Sequence, residues 1–197
     1  EIRIQQLIST FGIGSIQSFS KDRSMMLLGL DYWDRTYNKI RKNNKSHFNK
    51  HIIQEPRLAK RLNVDHFRKP IISDPKIYHA VMPYYRFPLW HWCPTCGYMK
   101  QFYPDQEDKP DISTCPGIFD DKRGQKCKNI SQNQKNNLVP SRFVLVCSEG
   151  HIEDFPFYDW ATYGKKIDEP RSNVQLRINT NKISTALSAV SIQCYKK

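Results

Sequence analysis

Apolar residues recur at helix or strand spacing along much of the chain. Within residues 2–11, the apolar residues Ile4, Leu7, Ile8 and Phe11 stand three, one and three positions apart. This spacing predicts a short amphipathic helix that ends at Gly12. Residues 24–30 form an apolar run typical of a buried strand. Residues 58–62 favour a short helix opened by Pro56, because the first turn of a helix needs no amide donor there.

The second half of the chain is predicted to contain more strand than helix. Four prolines between residues 69 and 88 favour an extended segment, and the polar residues 126–137 favour a loop. Strand patterns follow at 142–147 and 174–178, and residues 183–190 predict a short helix before a last strand. We therefore expect a small α+β domain with short helices, antiparallel strands and a zinc knuckle or ribbon-like insertion.

Composition excludes several classes of protein. Hydrophobic residues make up 39% and aromatic residues 12% of 197 positions, which argues against wholesale disorder and against a coiled coil. No apolar run approaches the roughly 18 residues of a membrane span, and the first residues do not form a signal peptide. We expect a soluble cytoplasmic protein with no membrane partner. Because the chain begins with Glu1, we also expect a fragment of a longer chain.

Positive charge is concentrated in the amino-terminal half. The whole chain has 31 basic and 19 acidic residues, a net charge of +12. The segment from Arg35 to Lys69 is rich in basic residues and contains only two acidic ones, Glu55 and Asp65. Such an excess of positive charge is typical of a surface that binds polyanions. We predict phosphate contacts at Arg41, Lys42, Lys45, Lys60 and Arg61. A plain solvated surface, or one that meets an acidic protein or lipid, is the alternative.

A cysteine motif predicts a structural zinc site. Cys93-Pro94-Thr95-Cys96-Gly97 is a C-x-x-C-G turn, which places two thiolates on the same side for a tetrahedral Zn²⁺. Cys115 and Cys127 follow and complete a four-thiolate set, although their spacing is wider than that of an ordinary zinc ribbon. Disulfides and free or redox-active thiols are the alternatives. A closed set of four thiolates would hold loops together and would not activate water.

A second group of residues suggests another metal site. Cys147 and His151 have a workable ligand spacing, and Cys194 becomes a third ligand if its strand returns alongside them. Asp154, a water molecule or a residue beyond Lys197 are candidates for the fourth position. The alternative is a buried cysteine beside a histidine that caps a turn.

Catalysis has little support in the sequence. Acidic residues around His151, including Glu149 and Asp154, suggest a metal-dependent nuclease at most, and a turn from Gly150 to Phe157 whose carboxylates cap backbone amides is the favoured explanation. No phosphate-binding loop of the G-x-x-x-x-G-K-[ST] type is present. We expect no enzymatic activity.

Four motifs, in order along the chain, carry a resemblance to a known family: Arg3-x-x-Gln6-Leu7-Ile8-x-Thr10-Phe11-Gly12-x-Gly14; Glu55-Pro56-Arg57-Leu58 leading to Phe67-Arg68-Lys69-Pro70; Arg86-Phe87-Pro88-x-Trp90-x-x-Cys93-Pro94-x-Cys96-Gly97; and Leu138-Val139-Pro140-x-Arg142-Phe143-Val144 leading to Cys147-x-x-Gly150-His151-x-x-Asp154-Phe155-Pro156. Together they resemble the amino-terminal region of the DrmB family, the cysteine-rich components of the DISARM anti-phage defence system of bacteria.

The resemblance implies a non-motor subunit that acts with a helicase-like partner of the DrmA type in a DNA-binding complex. We therefore expect a zinc-stabilised DNA-binding and scaffolding subunit. A protein-interaction module without DNA contact is the alternative, and a metal-dependent nuclease is a weaker one. We expect three segments: a basic region at 1–92, a zinc knuckle at 93–137, and an α+β segment at 138–197 that completes the core.

Overall fold

A computed structural model describes Leu7 and residues 10–20, 23–43, 49–70, 82–103, 114–131, 135–164, 171–180 and 187–196. In these ranges the helices are α1 (Leu30–Asn43), α2 (Pro56–Leu62), α3 (Lys122–Lys128) and α4 (Phe157–Thr162). Two 3₁₀ turns, Arg171–Asn173 and Leu187–Ala189, precede the last two strands. None of the described helices is both long enough and apolar enough to cross a membrane.

Short antiparallel strands form the rest of the regular structure. The strands are β1 (Ile16–Ser20), β2 (Arg23–Leu27), β3 (Ile52–Ile53), β4 (Phe67–Arg68), β5 (Tyr84–Arg86), β6 (Trp90–Trp92), β7 (Met99–Gln101), β8 (Val139–Pro140), β9 (Val144–Val146), β10 (Ile152–Asp154), β11 (Val174–Thr180) and β12 (Val190–Lys196). They make two three-stranded sheets, β1-β2-β5 and β7-β6-β8, and three two-stranded pairs, β3-β4, β9-β10 and β11-β12. The predicted α+β class is confirmed.

The chain divides into two compact units. Unit 1 contains residues 1–17 and 25–85, and unit 2 contains residues 18–24 and 86–197. In unit 1, Leu7, Leu27 and Met82 are buried together, with Trp33 of α1 packed against them. Unit 1 therefore has an apolar core of its own. The three-segment division expected from the sequence stays a prediction.

Two buried clusters lie among the described residues of unit 2. The cluster around Met99, Phe157 and Leu176 brings β7, α4 and β11 together. The other cluster surrounds the four cysteines of the predicted zinc site with aromatic and aliphatic side chains, among them Phe102, Phe119 and Leu138. The sulfur atoms therefore lie in the apolar interior of unit 2.

Several predicted elements are present with shifted bounds. The strands expected at 24–30, 142–147 and 174–178 correspond to β2, β9 and β11, and the helix expected at 58–62 is α2. Of the first predicted helix, the structure describes only Leu7, which is helical, Thr10 and Phe11, and most of the proline-rich segment lies outside the described residues. Helix α1 was not predicted, although Leu30, Trp33 and Tyr37 have helical spacing.

The loop prediction for residues 126–137 is wrong at its beginning, because Lys126 to Lys128 belong to α3. Asp121 caps this helix, since its Oδ1 accepts a hydrogen bond of 2.8 Å from the Gly124 amide. Gly124 also lets the helix approach the preceding chain, because a Cβ there would lie 2.0 Å from the Phe119 carbonyl oxygen. These local contacts overcome the polar, loop-like composition.

Two glycines with the same left-handed backbone differ in their surroundings. Gly97 has a φ of +80°, and a Cβ there would lie 2.1 Å from the Ile178 carbonyl oxygen. Gly150 has a φ of +81°, but a Cβ there would meet no atom within 4 Å. Of these two glycines, Gly97 is the one that combines a left-handed backbone with close packing, and it ends the C-x-x-C-G turn.

We expect Gly97→Ala to lower the free energy of unfolding by about 2–5 kcal/mol, because conformational strain adds to a backbone collision. Gly150→Ala is the matched control and should cost only about 1 kcal/mol, the strain alone. Urea denaturation of both variants measures the difference. Equal losses would show that the contact between Gly97 and β11 does not matter for stability.

Candidate metal centre

The first two cysteines are held by the turn between β6 and β7. The Cys93 amide donates a hydrogen bond of 2.8 Å to the Tyr98 carbonyl, and the Gly97 amide donates one of 2.8 Å to the Cys93 carbonyl. Strand β11 continues this arrangement, because the Ile178 amide donates to the Gly97 carbonyl at 2.9 Å. The turn therefore has fixed backbone partners within it and beside it.

The other two cysteines come from different structures. Cys115 lies in an extended segment, where its amide donates a hydrogen bond of 2.9 Å to the Asn136 carbonyl. Cys127 lies on α3, and the Asn136 side-chain amide approaches its Sγ at 3.6 Å. The long interval between Cys115 and Cys127 thus ends in α3, which carries the fourth thiol back to the first three.

All four thiols converge. Cys93, Cys96, Cys115 and Cys127 are buried, and their Sγ atoms lie within 4.8 Å of one another. The Cys96–Cys115 and Cys93–Cys127 Sγ distances are 3.4 and 3.7 Å. Ligands about 2.3 Å from a tetrahedral zinc ion lie about 3.8 Å apart, so the sulfur atoms are close to the spacing that one ion requires.

The cysteines are free thiols and not disulfides. Their sulfur separations exceed the roughly 2.05 Å of an S–S bond. Four sulfur donors in an apolar interior favour a thiophilic metal ion and leave no position open for water. The cluster could therefore hold a metal ion as a structural centre.

The protonation of the cluster also favours a cation. Hydrogen bonding with the thiols of Cys115 and Cys96 lowers the pKa of Cys93. Hydrogen bonding with Cys93 and Cys96, together with burial, raises the pKa of Cys115. Without a cation, the Cys93 thiol thus loses its proton most readily and the neighbouring thiols keep theirs, because negative charges at this spacing repel each other. A divalent ion compensates that charge and allows all four sulfur atoms to be deprotonated.

Two arginines that were not predicted from the sequence support the cysteine turn. Arg177 of β11 is only 5% exposed, and its Nε donates a hydrogen bond of 2.7 Å to the Cys96 carbonyl. Its Nη2 donates to Asp121 Oδ2 at 2.8 Å, and its guanidinium lies 4.4 Å from the centre of the Phe119 ring. Arg177 therefore links the turn to the cap of α3, which carries Cys127.

Arg123 of α3 makes the reciprocal connection, from α3 to the cysteine turn and to β11. Its Nε donates a hydrogen bond of 3.1 Å to the Thr95 carbonyl, and its Nη1 donates one of 3.0 Å to Asn179 of β11. Both arginines lie far in sequence from the turn that they contact. The strand pattern of β11 was the one part of this arrangement that the sequence predicted.

The second predicted group comes together only in part. Cys147 Sγ lies 3.3 Å from His151 Nδ1 at the exposed turn between β9 and β10. Cys194 is paired with Leu176 in the β11-β12 ladder and packs against the other core cluster of unit 2. Among the described residues, Cys194 does not join Cys147 and His151 in a three-ligand group. The expectation that Cys147 is a buried cysteine is wrong, because this residue is exposed.

Asp154, considered above as a ligand or a nuclease residue, makes backbone contacts. Its two carboxylate oxygens accept hydrogen bonds from the Leu89 amide at 3.0 and 2.9 Å. Burial raises the pKa of this carboxyl, and the bond from Leu89 opposes that shift. The carboxylate thus connects β10 to the chain just before β6.

The candidate DNA contacts lie in unit 1. Lys42 on α1 and Lys60 and Arg61 on α2 are exposed. Arg41 also lies on α1, but its side chain is outside the described residues, as is the whole of Lys45. By contrast, Arg68 forms an ion pair with Asp34 and lies 4.6 Å from the centre of the Tyr37 ring. The stretch from Arg35 to Lys69 therefore contains both exposed cations and a structural one.

Comparison with known families assigns the chain. A family model described as a domain of unknown function, DUF8724, matches residues 3–197. The chain belongs to the DUF8724 family.

A named relative adds to this assignment. The DUF8724 chain is 30% identical over 178 residues, 90% of its length, to a protein named "DISARM protein DrmB" from Bacillus paralicheniformis. It spans 27% of the length of that relative. The similarity supports the resemblance to the DrmB family that the sequence motifs indicated.

We expect Arg177→Met to lower the free energy of unfolding by about 2–3 kcal/mol, because the Cys96 carbonyl and Asp121 lose a charged donor. Arg171→Met is the matched control, since Arg171 is exposed, pairs with Asp159 and lies over the Tyr158 ring. An exposed pair of this kind contributes about 0–1 kcal/mol. Chemical denaturation distinguishes the two, and equal small losses would show that Arg177 does not support the turn.

Proposed function

We propose that this DUF8724 chain is a zinc-stabilised, non-enzymatic DNA-binding and scaffolding part of a bacterial anti-phage defence complex. Its similarity to a protein named "DISARM protein DrmB" supports the defence role. The buried four-thiol cluster supports zinc as the structural ion, because an all-cysteine tetrahedral set is a common zinc environment. A helicase-like partner of the DrmA type and a cytoplasmic location belong to the same proposal.

The observation that carries DNA as the ligand is the exposure of basic side chains in unit 1. Lys42, Lys60 and Arg61 are exposed, and no described residue forms an ion pair with them. Cations without a protein partner are available for phosphate oxygens, and phosphate contacts supply most of the affinity of non-specific DNA binding. Arg41 and Lys45 are included in the proposed surface from their positions in sequence.

A second candidate function has its own observation. On α2, Leu58 and Leu62 are 45% and 55% exposed. The two leucines lie one helical turn apart, on the same face of the helix. Exposed leucines beside Lys60 and Arg61 favour an acidic protein partner with an apolar contact. In this case the basic face of unit 1 binds protein and does not contact DNA.

We expect about one equivalent of zinc per chain, bound by Cys93, Cys96, Cys115 and Cys127. Cys127→Ser should lose the metal and lower the melting temperature by at least about 10 °C, since metal binding stabilises the fold around it. Cys194→Ser is the matched control and should retain the metal, because Cys194 is not part of the cluster. Elemental analysis and calorimetry measure both effects, and less than half an equivalent of metal in the unmodified protein contradicts the proposal.

We expect affinity for duplex DNA to fall steeply with salt concentration. Replacing Lys60 and Arg61 together with glutamine should reduce the log–log salt slope by roughly 1.5–2, because each phosphate contact contributes about 0.9. The control replaces Lys122 and Lys126, two exposed lysines of α3, and should leave the slope unchanged. Fluorescence anisotropy at several salt concentrations provides the measurement.

An unchanged slope in the folded Lys60/Arg61 variant removes these side chains from the proposed DNA surface. If Leu58→Ser with Leu62→Ser then abolishes binding to a purified partner subunit while the fold persists, the protein-interaction function replaces DNA binding.

A further inference from the structure

Unit 2 contains a cavity of about 440 Å³ that neither the metal centre nor the basic surface of unit 1 uses. Side chains from β6, β7, α4 and β11 line it, together with the 3₁₀ turn at Arg171–Asn173. This volume is within the range of about 300–1,000 Å³ that is usual for small-ligand sites. A single nucleotide is small enough to enter a cavity of this size.

The walls of the cavity are rich in aromatic rings. Four aromatic residues contribute to the lining: Trp90, Tyr98, Tyr103 and Tyr158. Tyr103 is 56% exposed, so part of its ring surface is accessible to a ligand. Stacking on such rings holds the unpaired bases of single-stranded nucleic acids, and it is tolerant of sequence because every base has two flat faces. Gln101 adds an amide at the same wall.

The charge of the lining favours an anion. Lys100 and Arg171 line the cavity, and the described lining includes no aspartate or glutamate. Two contacts hold the Arg171 side chain: it forms an ion pair with Asp159, and its guanidinium lies 4.7 Å from the centre of the Tyr158 ring. Lys100 has no carboxylate partner among the described residues, and burial lowers its pKa. An incoming phosphate would restore the preference of this amine for its charged form.

A neighbouring cavity gives a useful contrast. It has a volume of about 760 Å³, shares Tyr98 with the first cavity, and lies beside Phe119. Two carboxylates, Asp120 and Asp121, line it together with the cations Arg177 and Lys196. Arg177 is already paired with Asp121. An arginine of each cavity is paired with an aspartate, since Arg171 of the first cavity pairs with Asp159, but two carboxylates line the second cavity and none of the described residues that line the first cavity is acidic.

We infer that the 440 Å³ cavity binds one nucleotide of single-stranded DNA, with its base against the aromatic wall and its phosphate near Lys100 and Arg171. The choice of DNA as the ligand rests on the proposed function, although the cavity is separate from the basic surface of unit 1. A continuous duplex does not satisfy this site, because its bases are stacked and paired and their faces are not accessible. Unit 2 thus distinguishes unpaired from paired strands.

The test uses the full chain and a fluorescein-labelled 15-nucleotide oligothymidylate, a version with abasic residues at its centre, the same sequence in RNA, and a duplex. Tyr103→Ala and Lys100→Gln are the site variants. Tyr163→Ala is the matched control, because Tyr163 is 88% exposed and does not line the cavity. Circular dichroism and the thermal midpoint verify that each variant is folded.

We expect Tyr103→Ala to weaken binding of the single-stranded DNA about tenfold, as is usual for the loss of one stacked base, and Tyr163→Ala to leave it unchanged. The abasic oligonucleotide should bind the unmodified chain about tenfold more weakly, and Tyr103→Ala should weaken it no further. Lys100→Gln should reduce the log–log salt slope for single strands by about 0.7. The duplex should respond to neither variant.

Different results separate the failure of this inference from failure of the proposed function. Single-strand binding that is insensitive to Tyr103 and Lys100, but is weakened by the Lys60/Arg61 variant, overturns the cavity and leaves the basic surface of unit 1 in place. Duplex binding that is insensitive to the Lys60/Arg61 variant, together with a single-strand loss at Tyr103, overturns the basic surface and retains the cavity. Tighter binding of RNA through the same residues overturns DNA as the ligand, and no binding of any oligonucleotide overturns both.

Discussion

The convergence of four thiols in an apolar interior is the constraint on which unit 2 depends. Each sulfur comes from a separately formed piece of backbone: a tight turn supplies two, an extended segment one and α3 the last. Buried thiolates at such short separations are unfavourable without a compensating cation, so metal binding and ordering of these segments are linked. A metal ion held by the four thiols would add connections that a large core otherwise provides, which is consistent with the short strands and small clusters of unit 2.

Arg177 and Arg123 extend this constraint from the sulfur atoms to the surrounding structure. The turn that holds Cys93 and Cys96 offers two backbone carbonyls, and each accepts a hydrogen bond from one of these arginines. Through Asp121 and Asn179, the same side chains reach the cap of α3 and strand β11. Buried charge is favourable here because it is paired and hydrogen-bonded within a short distance. The metal centre, α3 and β11 thus depend on one another.

The proposed functions use surfaces that this framework leaves accessible. In unit 1, exposed cations on α1 and α2 are available to phosphate, whereas Arg68 is engaged with Asp34 and Tyr37. In unit 2, β6 and β7 support the cysteine turn and also contribute to an aromatic cavity. Since a metal ion bound to the four thiols would fix the turn that joins these two strands, loss of the metal is expected to affect both the fold and the cavity. Protein contact through Leu58 and Leu62 remains the competing use of α2.

The sequence by itself determined the features that depend on neighbouring residues. The C-x-x-C-G turn requires thiols and a glycine at fixed spacing, α2 begins at a proline, and β11 follows an apolar and polar alternation. The sequence also predicted which four cysteines converge. Their residue type and the C-x-x-C-G motif indicated the set, but not the distances between the sulfur atoms. The similarity to a protein named "DISARM protein DrmB" agrees with motifs that were visible without a structure.

The tertiary structure alone decided which distant residues meet. Arg177 follows Cys96 by 81 positions, and no local pattern marks it as a partner of that turn. Cys194 has the residue type of a metal ligand, yet the register of the β11-β12 ladder places it opposite Leu176 and away from a group with Cys147 and His151. Likewise, α3 forms in a polar segment because Asp121 caps it and Gly124 packs closely against Phe119. Strand register and close packing are non-local, and for that reason spacing in the sequence does not determine them.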